Sequence, residues 1–176
     1  MKELRDTDLM ARAAAGAEAA FAVLVERYKD VLLNFFLRKG VSYDDGQDLA
    51  QRTFLRLWRY RAKYAPQAKF TTFLFLLAGQ EAVDFFRAEG RRAGLADGFA
   101  HETEVRRDVR KAAPAFDGEA VRQAVARLSP GLRDVVELGV FQDLPYADVG
   151  EILGIPVGTV KSRMFHALRK LKEMLS

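Results

Sequence analysis

The sequence has no cysteine, which excludes a disulfide framework and any thiolate metal site. Histidine is almost as scarce, with only His101 and His166. Neither has a nucleophile or a second donor at metal-ligand spacing, and hydrolytic triads and zinc sites need such groupings. No enzyme activity, metal or cofactor is therefore expected. No apolar run reaches the roughly 20 residues that cross a bilayer. The longest candidate, Phe70 to Phe86, is broken by Gln80, Glu81 and Asp84. The segment Met1-Lys2-Glu3-Leu4-Arg5-Asp6 has no apolar signal core. The expectation is a cytoplasmic protein with no membrane insertion. The alternation that marks β-strands is also missing at any useful length.

Apolar residues make up 49% of the 176 residues, enough to build real cores. The formal charge is +4, a mild excess that favours an acidic partner such as nucleic acid. Nearly every segment has helical spacing. Asp6-Thr7-Asp8 offers caps for a short helix through Ala15, which Gly16 ends. From Ala17 to Lys39, Phe21, Leu24, Val25, Tyr28, Leu32, Phe35 and Phe36 recur every three or four positions, up to Gly40. Ser42-Tyr43-Asp44-Asp45 opens a third helix with Leu49, Thr53, Phe54, Leu57 and Trp58 on one side. Its acidic start, with Asp48, reads as a capping cluster rather than an acid–base or metal site. Lys63 to Lys69 reads as a loop, and a fourth helix follows from about Thr71 to Arg92.

From Ala93 to Gly118 the periodicity fades, glycines and prolines appear, and acids mix with bases. That stretch reads as a flexible linker, with Glu102 to Ala112 as a transient helix. Periodicity returns at Glu119 with Val121, Ala124, Val125 and Leu128. Ser129-Pro130 then starts a helix carrying Leu132, Val135, Val136, Leu138 and Val140, with proline at its first position. Two more helices are expected near Tyr146–Leu153 and Val157–Leu175. The architecture is all-α: a module over 1–92, a linker over 93–118, and a second module over 119–176.

The sharpest local pattern runs from Tyr146 to Met164. Gly150 suits a close crossing of two helices, Gly154 suits a turn needing positive φ, and Val160 returns an apolar side chain to the core. Their gaps of four and six residues are those of a helix-turn-helix. Val149, Leu153 and Ile155 fill its inner face, and Pro156 sets the start of the second helix. That helix presents Val157, Gly158, Thr159, Lys161, Ser162, Arg163, Phe165, His166 and Arg169. A slim N-terminal part can reach base edges in the major groove while cations lie toward phosphates. The plainer alternative is a helical hairpin with a solvated basic face.

The segments Leu128-Ser-Pro-Gly-Leu-Arg-Asp-Val-Val-Glu-Leu138, Leu144-Pro-Tyr-Ala-Asp-Val and Gly154-Ile-Pro-Val-Gly-Thr-Val-Lys-Ser-Arg-Met-Phe-His-Ala-Leu-Arg169 resemble region 4 of bacterial sigma factors, most of all the extracytoplasmic-function group. Independently, Asp48-Leu-Ala-Gln-Arg-Thr-Phe-Leu-Arg-Leu-Trp58 resembles the region 2 helix that docks on RNA polymerase. Phe70-Thr-Thr-Phe-Leu-Phe-Leu-Leu-Ala-Gly-Gln-Glu-Ala-Val-Asp-Phe-Phe-Arg87 resembles the promoter-opening helix after it. The resemblance implies a transcription initiation factor that brings core polymerase to promoter DNA under the control of an anti-sigma factor. Asp48, Gln51, Arg52, Phe54, Leu55 and Trp58 would meet the β′ clamp coiled coil, and the polymerase β flap would be a further contact. For Phe54 and Trp58 a plain core role stands beside the docking role.

Opening the −10 element needs stacking faces and cations. Tyr60, Lys63, Tyr64, Lys69 and Phe70 in the loop, with Gln80, Asp84, Arg87 and Arg91 on the helix, are the implied set. The second helix of the helix-turn-helix would read the −35 element. One departure stands out. The family carries a basic residue and an Arg-Asn pair where this chain has Leu76, Gly79 and Gln80. Either the promoter contacts shift to the loop and to Arg87, Arg91 and Arg92, or the chain melts DNA weakly. Gly150, where the family commonly has alanine, is a milder departure. Two rival functions remain open: a decoy that binds an anti-sigma factor without opening promoters, and a regulator that binds duplex DNA through the C-terminal module alone. The linker also permits the two modules to fold together and mask both DNA surfaces.

Overall fold

A computed structural model describes residues 1–65, 69–93 and 118–176, and for residues 91–93 the backbone only. The described residues form eight α-helices and no strand. In the first module these are α1 (Asp6–Ala14), α2 (Glu18–Arg38), α3 (Tyr43–Tyr60) and α4 (Phe70–Ala93). A single 3-10 turn, Arg61–Lys63, follows α3. The second module contains α5 (Glu119–Arg127), α6 (Pro130–Val136), α7 (Tyr146–Leu153) and α8 (Val157–Leu175). Most of the expected linker, including Glu102 to Ala112, lies outside the described residues.

The helix ends follow from the punctuation in the sequence. Gly16 and Gly40 take positive φ after α1 and α2. Ser42 caps α3 by accepting the Asp45 amide at 3.2 Å. Pro130 occupies the first turn of α6, while Ser129 makes no side-chain cap bond. The expected plain helix through Val140 instead widens into a π-helical turn at Glu137–Phe141. In that turn the Leu138 side chain stays buried while Val140 points to solvent.

In the first module α2 packs on α1 and α3, and α3 packs on α4. Arg27 pins the chain start. It donates to Asp6 Oδ1 at 2.7 Å and to the Leu4 carbonyl at 2.7 Å, while Tyr28 donates to Asp6. In the second module α8 packs against α5, α6 and α7. Arg133 closes the first bend there, donating to the carbonyls of Ala126 at 2.8 Å and Leu128 at 3.0 Å.

The two modules touch. Every residue from Leu32 to Arg38 is buried, so the end of α2 is covered all round rather than amphipathic. Gly46 of α3 lies against Leu33, Phe36 and Leu37, and α6 packs on α2 as well. The buried apolar residues of both modules form one connected core.

Candidate nucleic-acid interface

The helix-turn-helix is built as its residues require. Gly154 adopts φ +68° and ψ 33°, a left-handed conformation that a side chain would strain. The Ile155 amide turns back to the Gly150 carbonyl at 2.9 Å. A Cβ on Gly150 would lie 2.8 Å from the Ile155 carbonyl oxygen. Glycine there lets α7 meet the turn without that clash. Along α8, Val160, Met164, Ala167 and Leu171 are buried at spacings of four, three and four.

The opposite face of α8 is open. Val157, Gly158, Lys161, Ser162, His166 and Arg169 are all exposed, and Thr159 is half-buried. Arg163 behaves differently: it is half-buried, and its guanidinium lies against Gly131 of α6. Phe165 projects furthest, at 63% exposure, with its ring edge-on to His166. A cleft of about 530 Å³ runs beside this face between the start of α6 and α8, lined by Ser129, Leu132, His166, Arg169, Lys170 and Glu173. Slim residues at the front, cations behind and an apolar ring between them make a surface shaped for a groove of duplex DNA.

On α3, Asp48, Gln51, Arg52 and Leu55 form an exposed face, with Leu55 at 53%. Asp48 and Arg52 pair at 3.2 Å, one helical turn apart. Such exposed pairs add little stability, so both remain available to a partner. Phe54 is 7% exposed and belongs to the core, but its edge still lines a groove of about 400 Å³ with Glu18, Phe21, Val25, Gln51, Leu55 and Trp58. Trp58 is half-buried at the end of that groove. Phe21 meets its ring edge-on at 5.0 Å, and the Arg61 guanidinium covers it at 3.8 Å.

The loop residues split. Tyr60 is exposed, and Lys63 reaches over its ring at 5.5 Å. Tyr64 turns inward onto Phe70 and Phe73. Burial raises the pKa of its hydroxyl. Phe70 is only 2% exposed and packs against Tyr28 as well. It anchors the start of α4 and, in this arrangement, offers no open face for a base. Lys69 is held by Asp143 of the other module, through the Asp143 carbonyl and through Oδ2 at 3.1 Å.

Gln80, Asp84 and Arg87 follow one another along an exposed face of α4, beside exposed Val83 and Phe86. The Arg91 side chain lies outside the described residues. Thr72, Leu76 and Gly79 share a different face, and α7 lies along it. Thr72 Oγ1 donates to Asp148 Oδ2 at 3.4 Å. Gly79 meets the backbone of Ile152 so closely that a Cβ would come within 2.8 Å of its carbonyl oxygen. A further contact between modules is Arg38 Nε on Asp134 Oδ1 at 2.6 Å, with side chains 4% and 10% exposed. Beside it, burial lowers the pKa of the Lys39 ammonium and raises that of the Glu137 carboxyl. Sequence reading missed Arg38 and Asp134. The available signal was a charge closing the apolar run Leu32-Leu33-Asn34-Phe35-Phe36-Leu37.

Comparison with known proteins supplies two family matches. The model described as Sigma-70 region 2 matches residues 24–92, and the one described as Sigma-70, region 4 matches residues 118–171. The chain is 30% identical over 176 residues to the ECF RNA polymerase sigma-E factor of Escherichia coli, covering 94% of this chain and 92% of that protein. It is 29% identical over 181 residues to the RNA polymerase sigma-H factor of Pseudomonas aeruginosa, covering 97% and 94%. Among solved structures, the sigma factor RpoE in complex with the anti-sigma factor NepR, from Bartonella quintana, matches with a TM-score of 0.59 at 24% identity, covering 88% and 96%. CnrH in complex with the cytosolic domain of CnrY matches with a TM-score of 0.57 at 23% identity, covering 97% and 96%. At these identities the structural matches speak for the fold.

Proposed function

The chain belongs to the sigma-70 family, in its extracytoplasmic-function group, and from that premise we propose that it initiates transcription by carrying core RNA polymerase to promoter DNA. One observation carries this reading: a single chain presents two open surfaces of different chemistry. The α3 face with its groove is a mixed apolar and polar surface suited to another helix. The α8 face is slim, basic and free, suited to a duplex. A regulator acting on duplex DNA alone has no use for the first surface. A decoy has no use for the second.

Within this reading the β′ clamp coiled coil docks on Asp48, Gln51, Arg52, Leu55 and Trp58. The −35 duplex is read by Val157, Gly158, Thr159, Lys161, Ser162, His166 and Arg169. Arg163 reaches phosphate only after leaving Gly131. The −10 strand meets Tyr60 and Lys63, then Gln80, Asp84, Arg87 and Arg91. Lys69 and Tyr64 join only if their present contacts release. RpoE, a structural relative, is held by an anti-sigma factor, and a regulator of that class is proposed here too.

The test is run-off transcription with purified core polymerase and genomic promoter fragments. Specific transcripts dependent on the chain are expected. Absence of transcripts despite tight binding to an anti-sigma protein would favour the decoy. Duplex binding without polymerase association would favour the regulator.

A further inference from the structure

Two of the residues proposed to meet the −10 strand, Tyr60 and Lys63, belong to the end of α3 and the single 3-10 turn after it, Arg61–Lys63. Such a turn holds little by itself. None of its residues is buried, and the bond from the Tyr64 amide to the Arg61 carbonyl is long, at 3.3 Å. Its shape has to be supplied by what surrounds it.

The supports can be followed residue by residue. On one side Arg61 lies over the Trp58 ring and donates to the Trp58 carbonyl at 2.7 Å. On the other side Tyr64 packs its ring on Phe70 and Phe73. Phe70 meets the Tyr28 ring of α2 at 5.4 Å. The Tyr28 hydroxyl in turn donates to Asp6, in the first turn of α1. The other oxygen of Asp6 accepts from Arg27 at 2.7 Å, so both carboxylate oxygens are used. Helix α1 also packs directly against the 3-10 turn. Burial raises the pKa of the Tyr64 hydroxyl, and the charge of Asp6 adds to the effect.

We propose that Asp6 and Tyr28 are positioning residues for strand capture: through Phe70 and Tyr64 they hold the Arg61–Lys63 turn in the shape that presents Tyr60 and Lys63 to the −10 strand. Neither residue touches DNA. The inference rests on the initiation-factor reading for the role of the turn. Its physical basis is pre-organisation, because a turn ordered beforehand spares the complex the cost of ordering it. Fastening α1 to α2 would need only the Arg27–Asp6 pair. Tyr28 adds a link to α4, since its ring lies on Phe70 while its hydroxyl reaches α1.

Tyr28→Phe tests this by keeping the ring on Phe70 and removing only the tether to Asp6. In the free chain, well below its unfolding temperature, the amides from Tyr60 to Tyr64 should exchange hydrogen about fivefold faster, the size of one lost hydrogen bond. Those of α8 should be unchanged. With core polymerase bound, affinity for a single-stranded −10 oligonucleotide should fall about fivefold as well. Binding to core polymerase and to −35 duplex should not change. Asp6→Ala should lose at least as much strand affinity. Asp6→Asn should retain it, because its amide can accept from Arg27 and donate to the Tyr28 oxygen.

Unchanged exchange from Tyr60 to Tyr64 in Tyr28→Phe would overturn the proposal, since the turn would then hold itself. Equal losses of −10 strand and −35 duplex binding would overturn it too, by showing a general loss of fold. A wild-type chain that binds core polymerase and never the strand would instead sink the initiation-factor reading, and exchange would still decide whether Tyr28 holds the turn.

Discussion

The two helices proposed to meet DNA make opposite use of small residues. On α8 and its partner α7, glycine serves the module internally: Gly150 lets α7 meet the turn and Gly154 makes the turn, so the reading face is left clear. On α4, Gly79 serves a contact with the other module, and the face around it is occupied. Where the modules meet, α7 covers the α4 face of Thr72, Leu76 and Gly79, while Gln80, Asp84 and Arg87 on α4 and the reading face of α8 stay exposed.

The largest effect is expected from breaking the Arg38–Asp134 pair between the modules. Asp134→Ala leaves Arg38 unpaired in a site where its side chain is 4% exposed. Stranding a buried charge costs about 3–5 kcal/mol where the surroundings cannot move. Here the modules can part, so the expected result is a larger radius by scattering and two separate unfolding transitions. One cooperative transition at the wild-type temperature would show that the pair does not hold the modules together. The two glycines give the next test. Gly150→Ala puts a Cβ 2.8 Å from a backbone oxygen inside one module. Overpacking of that kind costs about 1–3 kcal/mol. Gly79→Ala meets the same 2.8 Å distance but across modules, and separation relieves it. Thermal unfolding should fall for Gly150→Ala and stay near wild type for Gly79→Ala. Equal losses would mean the modules are rigidly joined.

The same contrast marks what the sequence could reveal. Helices α7 and α8 were legible nearly to the residue because Gly154, Pro156 and the spacing of Val160 and Met164 are local signals within one short stretch. On α3, the family resemblance pointed to Asp48, Gln51, Arg52 and Leu55, and these side chains are exposed. The contacts between the modules were not legible, since Arg38 pairs with a residue 96 positions away and Thr72 with one 76 away. Periodicity reports which face of a helix is apolar; it does not report which of two modules will cover that face. The fate of Phe70 was hidden for a related reason. An aromatic at a loop end looks the same whether it turns outward to stack on a base or inward onto Tyr28 and Tyr64. Gly79 was legible as a departure, but its reason lay in Ile152 on another helix.

Smaller effects test the two open surfaces. Leu55→Glu places a charge on the exposed rim of the α3 groove, where burial against a partner helix would be lost. Affinity for core polymerase should fall about tenfold, near 1.4 kcal/mol, with helicity unchanged in circular dichroism. Unchanged affinity would move the docking surface off α3.

The finest test compares Lys161 with Arg163 on α8. Both are cations of one helix, and sequence alone treats them alike. Lys161 is exposed, whereas the Arg163 guanidinium rests on Gly131. Each phosphate contact contributes about 0.9 to the slope of log affinity against log salt. Lys161→Ala should therefore reduce the slope for −35 duplex binding by up to about 0.9 if it makes one phosphate contact. Arg163→Ala should leave the slope nearly unchanged and lower thermal stability instead, because the packing of a guanidinium on α6 is lost. A slope change for Arg163→Ala as large as that for Lys161→Ala would show that Arg163 swings off Gly131 when DNA arrives. The reading face would then be completed by the duplex rather than preformed on α8.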